Sequence, residues 1–380
     1  MKIGYNNRIE KVMGMFSSKN NYLGIDIGTS SIKVVELANV NGRPKLVTYG
    51  FTEKKMDKWD GKGDLANVEG LHQLLIEVCQ QANVSANKVI GALPNFSVFT
   101  SILNLPAMSK KELESAISWE AKKIIPIPLE NIILDWKIID EQSDGSAGDK
   151  AATQQQVRSL KKIFSKPQKN LKILLTGASK TLVKRYIDVF NRAGLNLLSL
   201  ETESFALIRS LIGNDKSIIM LVDLGASTSS ITVVEKGVPV LSRSIEIGGM
   251  MITRSISTSL NVNLERAEQF KQDMSLDVAS ASNSLPQTVE RSFASVLNEV
   301  KYTVNMYQEQ NNKKIEKIVL TGGTALLGNL AGYLSRILNI NTYVGDPWAR
   351  VIFPTELKPI LDRLGPRFSV AIGLAMRNIE

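Results

Sequence analysis

Runs of β-branched and other apolar residues alternate along this chain with stretches in which apolar residues recur every three or four positions. The first pattern is typical of strands and the second of amphipathic helices. Strands are predicted near residues 22–27, 31–38, 45–51, 88–93, 97–105, 131–140, 171–176, 195–200, 217–235 (a hairpin), 237–247 and 315–320. Helices are predicted near residues 64–82, 110–124, 179–193, 203–211, 249–260, 264–273, 287–310, 325–338 and 367–378, with an irregular stretch at 339–366. This alternation predicts an α/β fold.

One strand–turn–strand pattern occurs twice, at residues 23–37 and 221–235. Each copy runs from an apolar strand through an Asp-x-Gly turn and hydroxyl residues into a β-branched strand. The sequence Ser-Ser-Ile-Lys-Val-Val-Glu around Lys33 is nearly repeated in the second copy, where Thr232 takes the position of the lysine. Such a turn offers backbone N–H groups to an anion, although most hairpin turns hold no ligand. The repetition predicts two related halves with a ligand between them and a lysine from the first half only.

A pair of glycines, Gly322 and Gly323, lies between the strand at 315–320 and the helix at 325–338. A helix N-terminus carries unsatisfied N–H groups and positive potential, so this position suits a phosphate or nucleotide. A tight turn without a ligand explains the glycines equally well.

Composition indicates a globular protein of two or more domains. Of 380 residues, 43% are hydrophobic and 22% are charged, and no stretch approaches the roughly 20 apolar residues of a membrane helix. The N-terminus lacks the apolar segment of a signal peptide, so we expect a cytoplasmic protein. The start codon stays open among Met1, Met13 and Met15.

Several function classes are disfavoured by residue counts. With Cys79 and His72 as the single cysteine and histidine, an internal disulfide and a cysteine-rich metal site are excluded, and a histidine-based triad is unfavourable. The net charge of +9 comes from scattered residues, with no basic run interleaved with aromatics, so no nucleic-acid partner is expected. The charge fits a solvated surface close to the inner face of a membrane.

Five segments in fixed order resemble the motifs of the actin-like ATPase superfamily. They correspond to phosphate-1, connect-1, phosphate-2, adenosine and connect-2 at residues 23–37, 203–212, 218–234, 318–334 and 367–377. The resemblance implies an actin-like ATPase fold, with a duplicated two-domain α/β architecture that holds MgATP in an interdomain cleft.

The resemblance also implies which residues bind the nucleotide. Asp26 and Asp223 would hold a hydrated Mg²⁺, and Lys33 would compensate phosphate charge. The full implied set is Asp26, Gly28, Thr29, Ser30, Lys33, Asp223, Gly225, Ala226, Ser227, Thr228, Glu268, Lys271, Gly322, Gly323, Thr324 and Leu327.

Two departures from the superfamily pattern favour slow hydrolysis or none. Phosphate-2, from Gly225 to Thr228, lacks the second glycine of active ATPases. No residue that would orient an attacking water can be assigned from the sequence, although fast phosphoryl transfer needs one.

Within the superfamily, the series Trp-Glu-Ala, Ile-Pro-x-Pro and Leu-Asp-Trp over residues 119–136 resembles the PilM family of cytoplasmic type IV pilus assembly proteins. It implies a subdomain relocated as in FtsA and PilM, and an architecture of an N-terminal extension, a first actin-like domain, the relocated subdomain and a second actin-like domain. The expected bounds are 1–21 for the extension; 22–85, 201–215 and 355–380 for the first domain; 86–200 for the subdomain with a mobile insertion at 141–170 and a short helix at 156–164; and 216–354 for the second domain, with a helical part at 248–314.

The PilM resemblance further implies a partner, the short N-terminal cytoplasmic segment of a PilN-like inner-membrane protein, through which the chain would reach the membrane. A pilus motor ATPase is a further candidate partner. The candidate groove residues are Trp119, Ile124, Ile125, Ile127 and Leu129, each of which a role in the subdomain core would explain equally well.

Two alternatives stay open. An FtsA-like division protein is one, although the chain ends at Glu380 without the amphipathic tail helix of that family. A true actin-like ATPase or kinase is the other, with turnover rather than nucleotide-dependent binding as its function.

Overall fold

The computed structural model describes residues 21–53, 68–142, 170–276 and 285–379. The predicted N-terminal extension up to Asn20, most of the insertion at 141–170, and the short helix within it lie outside the described residues. The described residues fall into two compact units. The first joins the residues up to Ser97 with those from Leu182 onward, and the second comprises residues between Val98 and Thr181.

The first unit contains two five-stranded sheets with the same topology. The first sheet has the order β3-β2-β1-β4-β8 and the second the order β11-β10-β9-β12-β13. In each, the first three strands are antiparallel and the last two run parallel to the central strand. The strands are β1 (Asn21–Ile27), β2 (Ser31–Val40), β3 (Arg43–Glu53), β4 (Lys88–Leu93), β8 (Asn196–Thr202), β9 (Ile219–Leu224), β10 (Ser229–Glu235), β11 (Val238–Ile245), β12 (Lys317–Thr321) and β13 (Asn341–Val344). The duplication predicted from the two hairpins is therefore present in the topology of both sheets.

Helices cover both sheets of this unit. They are α1 (Val68–Gln81), α3 (Lys180–Arg192), α4 (Glu203–Leu207), α5 (Gly249–Leu260), α6 (Leu264–Leu276), α7 (Gln287–Asn311), α8 (Leu330–Leu338) and α9 (Lys358–Met376). The apolar stripe predicted on α7 is buried with the second sheet in one core that includes Val289, Phe293 and Val300, as expected for a helix with a single apolar face.

The second unit is a three-stranded antiparallel sheet, order β5-β7-β6, covered by α2. Its elements are β5 (Val98–Pro106), α2 (Lys110–Ile124), β6 (Ile132–Gln142) and β7 (Asn170–Ser179). The predicted capping box at the start of α2 is present, because the Ser109 side chain accepts the Glu112 N–H and Glu112 accepts the Ser109 N–H. This unit is narrower than the expected 86–200, because β4 and β8 pair with each other in the first sheet.

The C-terminal region departs from the sequence prediction. Residues 339–366 were expected to be irregular, yet they contain β13 and the first half of α9. Pro359 lies in the first turn of α9, where proline is tolerated, whereas Pro366 lies inside the helix. Burial of Leu361, Gly365 and Phe368 favours the helix over its proline penalty.

Helices α4 and α9 pack closely between the two sheets. A core cluster joins Ile90 of β4 and Leu221 of β9 to residues of both helices. A Cβ at position 373 would lie 1.9 Å from the carbonyl oxygen of Ala206, so only glycine permits this approach. The connection after α4 continues as one π-helical turn, Ile208–Ile212, rather than the predicted α-helix to 211.

We expect Gly373→Ala to lower the free energy of unfolding by about 2–3 kcal/mol, because the added methyl group has no space and must separate two backbones. Urea unfolding measures the effect. Gly332→Ala is the matched control, since its Cβ would meet only the end of the Asn329 side chain, at 2.7 Å, and a helical alanine is favoured by about 1 kcal/mol. Equal stabilities of the two variants would contradict the close packing of α4 and α9.

Candidate functional site

A cleft of about 810 Å³ lies within the first unit. Its walls come from the β1–β2 and β9–β10 turns, the turn after β12, and helices α5, α6 and α9. Of the residues expected to bind nucleotide, the cleft is lined by Asp26, Gly28, Thr29, Ser30, Lys33, Asp223, Gly225, Ala226, Thr228, Glu268, Lys271, Gly322, Gly323 and Thr324. Residues from distant parts of the sequence thus meet in one space.

The two hairpin turns have the same local geometry. The Gly28 N–H donates to the Ser31 carbonyl at 3.0 Å, and the Gly225 N–H donates to the Thr228 carbonyl at 3.0 Å. The Ser227 hydroxyl, which does not line the cleft, donates to the Thr29 hydroxyl at 2.7 Å. This hydrogen bond joins the turn of the second hairpin directly to the turn of the first.

Strand register corrects the alignment of the repeat. Asp26 pairs with Lys33 in the first hairpin, whereas Asp223 pairs with Ser230 in the second. Ser230, and not Thr232, is therefore the counterpart of Lys33. The repeated sequence is therefore shifted by two positions relative to the residues that are structurally equivalent. Because side chains alternate along a strand, a shift of two positions leaves each side chain on the same face. The predicted asymmetry between the two hairpins is unchanged, since only the first hairpin has a lysine opposite its aspartate.

Acidic groups outnumber cations at the floor of the cleft. The Lys33 ammonium forms an ion pair with Asp26 at 2.8 Å. Burial and the neighbouring Asp26 raise the pKa of Asp223 to about 6, against the opposing effect of Lys33. Burial, followed by the charges of Asp223 and Asp26, raises the pKa of Glu203 to about 8. Lys33 alone does not balance these carboxyl groups, so the floor favours an additional cation.

Glu203 is a cleft residue that the sequence reading missed. It is the first residue of α4, directly after β8, and its carboxylate accepts the Asn95 N–H at 2.9 Å. Asn95 in turn accepts the backbone N–H of Ser204 at 3.1 Å and its hydroxyl at 2.9 Å. The position of Glu203 after the carboxyl end of a parallel strand is the signal that could have identified it, because ligands of α/β sheets bind at such strand ends.

The glycine pair forms a tight turn that is bonded to α9. Gly322 has φ +85°, and its N–H donates to the Pro366 carbonyl at 2.9 Å. A short 3₁₀ turn, Gly323–Leu326, follows, and α8 begins only at Leu330. The helix N-terminus predicted directly after the glycines is therefore displaced, and the N–H groups near the cleft belong to the turn.

Leu327 does not line the cleft, contrary to expectation. It is 4% exposed and belongs to the apolar core of the second sheet. Its apolar side chain faces this core, whereas the neighbouring Thr324 reaches the cleft.

Glu268 and Lys271 form a bonded pair on α6. The Lys271 ammonium lies 2.7 Å from the Glu268 carboxylate, and the Thr253 hydroxyl donates to the same carboxylate at 2.6 Å. Burial alone would raise the pKa of Glu268, but Lys271 and these hydrogen bonds hold it below its ordinary value. The Glu268 carboxyl group therefore stays charged beside the cleft.

Two arginines of α9, Arg363 and Arg367, also line the cleft. The Arg367 guanidinium lies 5.1 Å from the centre of the Phe51 ring. The sequence reading missed Arg363 because it expected this stretch to be irregular.

The expected partner residues, all in the second unit, divide into two groups. Trp119, Ile124 and Ile127 are 61%, 38% and 48% exposed. Ile125 is buried in the core and Leu129 packs against it, so for these two the alternative of a core role holds. The Lys123 ammonium lies 3.2 Å from the centre of the Trp119 ring.

Among the described residues, no helix combines the length and the apolar character required to cross a membrane. Within the same ranges, no three acidic, histidine or cysteine side chains converge in a way that could ligate a metal directly.

Curated relatives include two FtsA cell division proteins. The protein of Bacillus subtilis (strain 168) is 22% identical over 357 residues, covering 86% of this chain and 78% of the relative. That of Neisseria meningitidis serogroup B is 23% identical over 387 residues, covering 92% of this chain and 88% of the relative. These relatives are distant.

Solved structures show that the fold is actin-like. A structure described as the PilM-PilN type IV pilus biogenesis complex matches with a TM-score of 0.75 and 24% identity, covering 94% of this chain and 98% of that one. The ethanolamine utilization protein EutJ from Carboxydothermus hydrogenoformans matches with a TM-score of 0.53 and 17% identity, covering 94% of this chain and 89% of that one. Both likenesses establish the architecture.

A family model supplies the identity. The model described as type IV pilus assembly protein PilM matches residues 24–153 and 155–379. These ranges include both hairpins, the cleft residues and the second unit. The chain therefore belongs to the PilM family of type IV pilus assembly proteins.

Proposed function

We propose that this protein is a nucleotide-binding scaffold of the type IV pilus assembly platform that holds MgATP in the cleft and binds the N-terminal cytoplasmic segment of a PilN-like membrane protein. The observation that carries the proposal is the Ser227–Thr29 hydrogen bond at 2.7 Å, which joins the two hairpin turns above a floor of carboxyl groups and Lys33. Two turns in this arrangement present N–H and hydroxyl donors to one phosphate chain from both sides.

The residues of the cleft fit a nucleotide. A Cβ at Gly225 would lie 2.8 Å from the Thr228 carbonyl oxygen, whereas one at Gly323 would meet nothing closer than Arg367, at 3.7 Å. Glycine at 225 thus keeps the turn tight, and glycine at 323 leaves the cleft open to a ligand that approaches the backbone. Lys33, Thr29 and Ser30 would bind the β- and γ-phosphates.

The carboxylates of Asp26 and Asp223 would hold Mg²⁺ through water. Mg²⁺ keeps several of its waters and needs few carboxylates when phosphates complete its shell. When bound, the ion would supply the positive charge that Lys33 alone does not provide.

We propose that hydrolysis is slow, so that bound ATP acts as a switch for partner affinity. Glu203 is a cleft carboxylate that could accept a proton from water, and it favours the second candidate function, a true ATPase. Its raised pKa, about 8, keeps much of it protonated at neutral pH, and a protonated carboxyl group is a poor general base.

We further propose that the unit between Val98 and Thr181 binds the partner segment through Trp119, Ile124 and Ile127, which are exposed. Partly exposed aromatic and aliphatic side chains are the usual anchors for such a peptide. The solved PilM-PilN complex supports a partner of this kind. The protein would then lie at the cytoplasmic face of the inner membrane through that partner.

We expect Lys33→Ala to weaken MgATP binding at least about tenfold, because a charge-assisted contact to phosphate is lost. Isothermal titration calorimetry measures the affinity, and Lys358→Ala, which removes an exposed lysine paired with Asp362, is the control. Lost partner binding in Lys33→Ala would support the switch. Intact partner binding with lost turnover, or many turnovers per second in the wild type, would support the enzyme instead.

The carboxyl groups of the cleft also predict a pH dependence. A carboxyl group whose pKa is raised by folding stabilises the fold below its unfolded pKa and loses that contribution as pH rises through the folded value. With the pKa values of Asp223 at about 6 and Glu203 at about 8, the free energy of unfolding should fall by about 2 kcal/mol or more from pH 5 to pH 8. Urea unfolding in EDTA measures it. Glu203→Gln should flatten the slope, and equal slopes would contradict the assignment.

We expect Trp119→Ala to weaken binding of a synthetic peptide of the PilN-like N-terminal segment about tenfold or more, the usual loss for an aromatic anchor. Leu260→Ala, which truncates an exposed side chain of α5 (53% exposed), should leave binding unchanged. Fluorescence anisotropy of a labelled peptide measures both. Recovery of division proteins rather than a single-span pilus protein, in a pull-down from membranes with ATP, would overturn the pilus assignment.

A further inference from the structure

Two buried donors without a protein partner lie beside the cleft floor. Among the residues that the structure describes, the buried side-chain atoms lacking a hydrogen-bond partner include the Asn95 amide nitrogen Nδ2 and the Tyr186 hydroxyl. A buried polar group without a partner costs free energy, so such atoms are rare in folded proteins. Their proximity to a ligand cleft calls for a functional explanation.

Asn95 is already bonded to the cleft carboxylate. Its backbone N–H donates to Glu203 at 2.9 Å, and its Oδ1 accepts two hydrogen bonds from Ser204. These bonds fix the orientation of the side-chain amide, because Oδ1 is the atom that must face Ser204. The Nδ2 donor therefore belongs to a side chain that cannot simply rotate to find solvent.

Packing of α3 against the first sheet places Tyr186 at the level of the strand ends that Glu203 follows. The Phe190 ring lies over Gly91 of β4 and close to Leu200 of β8, since a Cβ at Gly91 would meet both side chains at 2.9–3.0 Å. Tyr186 is one helical turn earlier, about 5–6 Å toward the strand ends, or roughly two strand residues. That step reaches the level of the Leu93–Thr202 pair, directly before Glu203 in the chain. Tyr186 is 0% exposed.

The electrostatics of Tyr186 agree with this placement. Burial raises the pKa of Tyr186 well above its ordinary value, and the charges of Glu203 and Asp26 raise it further. The hydroxyl group therefore keeps its proton, and the charged groups that act on it are the carboxyl groups of Glu203 and Asp26.

Both donors lie where the chain crosses between the two units. The chain leaves the first unit after Ser97, two residues beyond Asn95, and re-enters it at Leu182, four residues before Tyr186. The short 3₁₀ turn at Asn95–Ser97 and the first turns of α3 are therefore the covalent connections to the unit proposed to bind the partner.

We propose that Tyr186 and Asn95 are positioning residues for Glu203, and that their unpartnered donors bond to the Glu203 carboxylate, or to a water on it, when nucleotide occupies the cleft. This inference rests on the proposed nucleotide binding. Each donor then gains a hydrogen-bond partner only when nucleotide is bound. Nucleotide binding therefore orders both segments through which the chain passes between the two units. The cleft would thereby affect the unit between Val98 and Thr181 through its own backbone connections.

Tyr186→Phe tests the proposal, because it removes only the hydroxyl group. Without ligand, the melting temperature of Tyr186→Phe should equal or exceed that of the wild type, since a hydroxyl group without a partner is lost. With MgATP, the affinity measured by calorimetry should be about tenfold weaker and the rise in melting temperature smaller, as expected when a hydrogen bond to a charged group is missing from the loaded state. Tyr307→Phe is the matched control: its hydroxyl already donates to Glu235, so it should melt lower without ligand and keep the full response to MgATP.

Hydrogen exchange supplies a second readout. In the wild type, MgATP should slow exchange at residues 95–106 and 170–186, and in Tyr186→Phe this protection should be lost while that of both hairpins persists. A Tyr186→Phe protein that melts lower without ligand, or one that binds MgATP with wild-type affinity and wild-type protection, would overturn the proposal while leaving nucleotide binding intact. A wild-type protein that shows no response to MgATP would instead refute the proposed function, and this inference with it.

Discussion

The close approach of α4 and α9 is the constraint on which the cleft depends. Gly373 brings the backbone of α9 against Ala206, and the Arg209 guanidinium, ion-paired with Glu201 at 2.7 Å, donates to the Gly373 carbonyl at 2.5 Å. Because α4 begins with Glu203 and α9 carries Arg363, this crossing places one acidic and one basic wall of the cleft. This packing therefore sets the positions of charged residues that line the cleft.

Duplication explains why the cleft exists, and the differences between the copies explain its chemistry. The two sheets share one topology and their hairpin turns share one hydrogen bond pattern. Asp26 and Asp223 occupy equivalent places, but their strand partners are Lys33 and Ser230. A symmetric pair of lysines would neutralise both aspartates within the protein. With a single lysine, the floor retains a need for positive charge, which a bound magnesium ion would supply.

Local patterns predicted the repeat and most elements, because turn chemistry and strand periodicity are properties of short segments. Most of the cleft residues were instead implied by the resemblance to the actin-like ATPase superfamily. The Asp-x-Gly turns and the capping box at Ser109 are examples. Tertiary effects account for the failures. Pro366 would end an isolated helix, yet burial keeps α9 continuous through it. Glu203 follows the carboxyl end of β8, but its importance comes from the convergence of β8 with the two hairpins, which no short segment reveals.

Buried charge links the ligand to the fold. The carboxyl groups of Asp223 and Glu203 have raised pKa values because the protein surrounds them without enough positive charge, so ionising them costs stability in the absence of a ligand. A bound cation would offset that cost and stabilise the folded state by an amount that grows with the logarithm of its concentration relative to its dissociation constant. Since the Asn95 N–H donates to Glu203 and Asn95 stands three residues before Val98, where the second unit begins, the proposed change at that carboxylate would act first on the chain that enters the unit. A protein that only holds its nucleotide can still respond to it, because the response requires binding and not turnover.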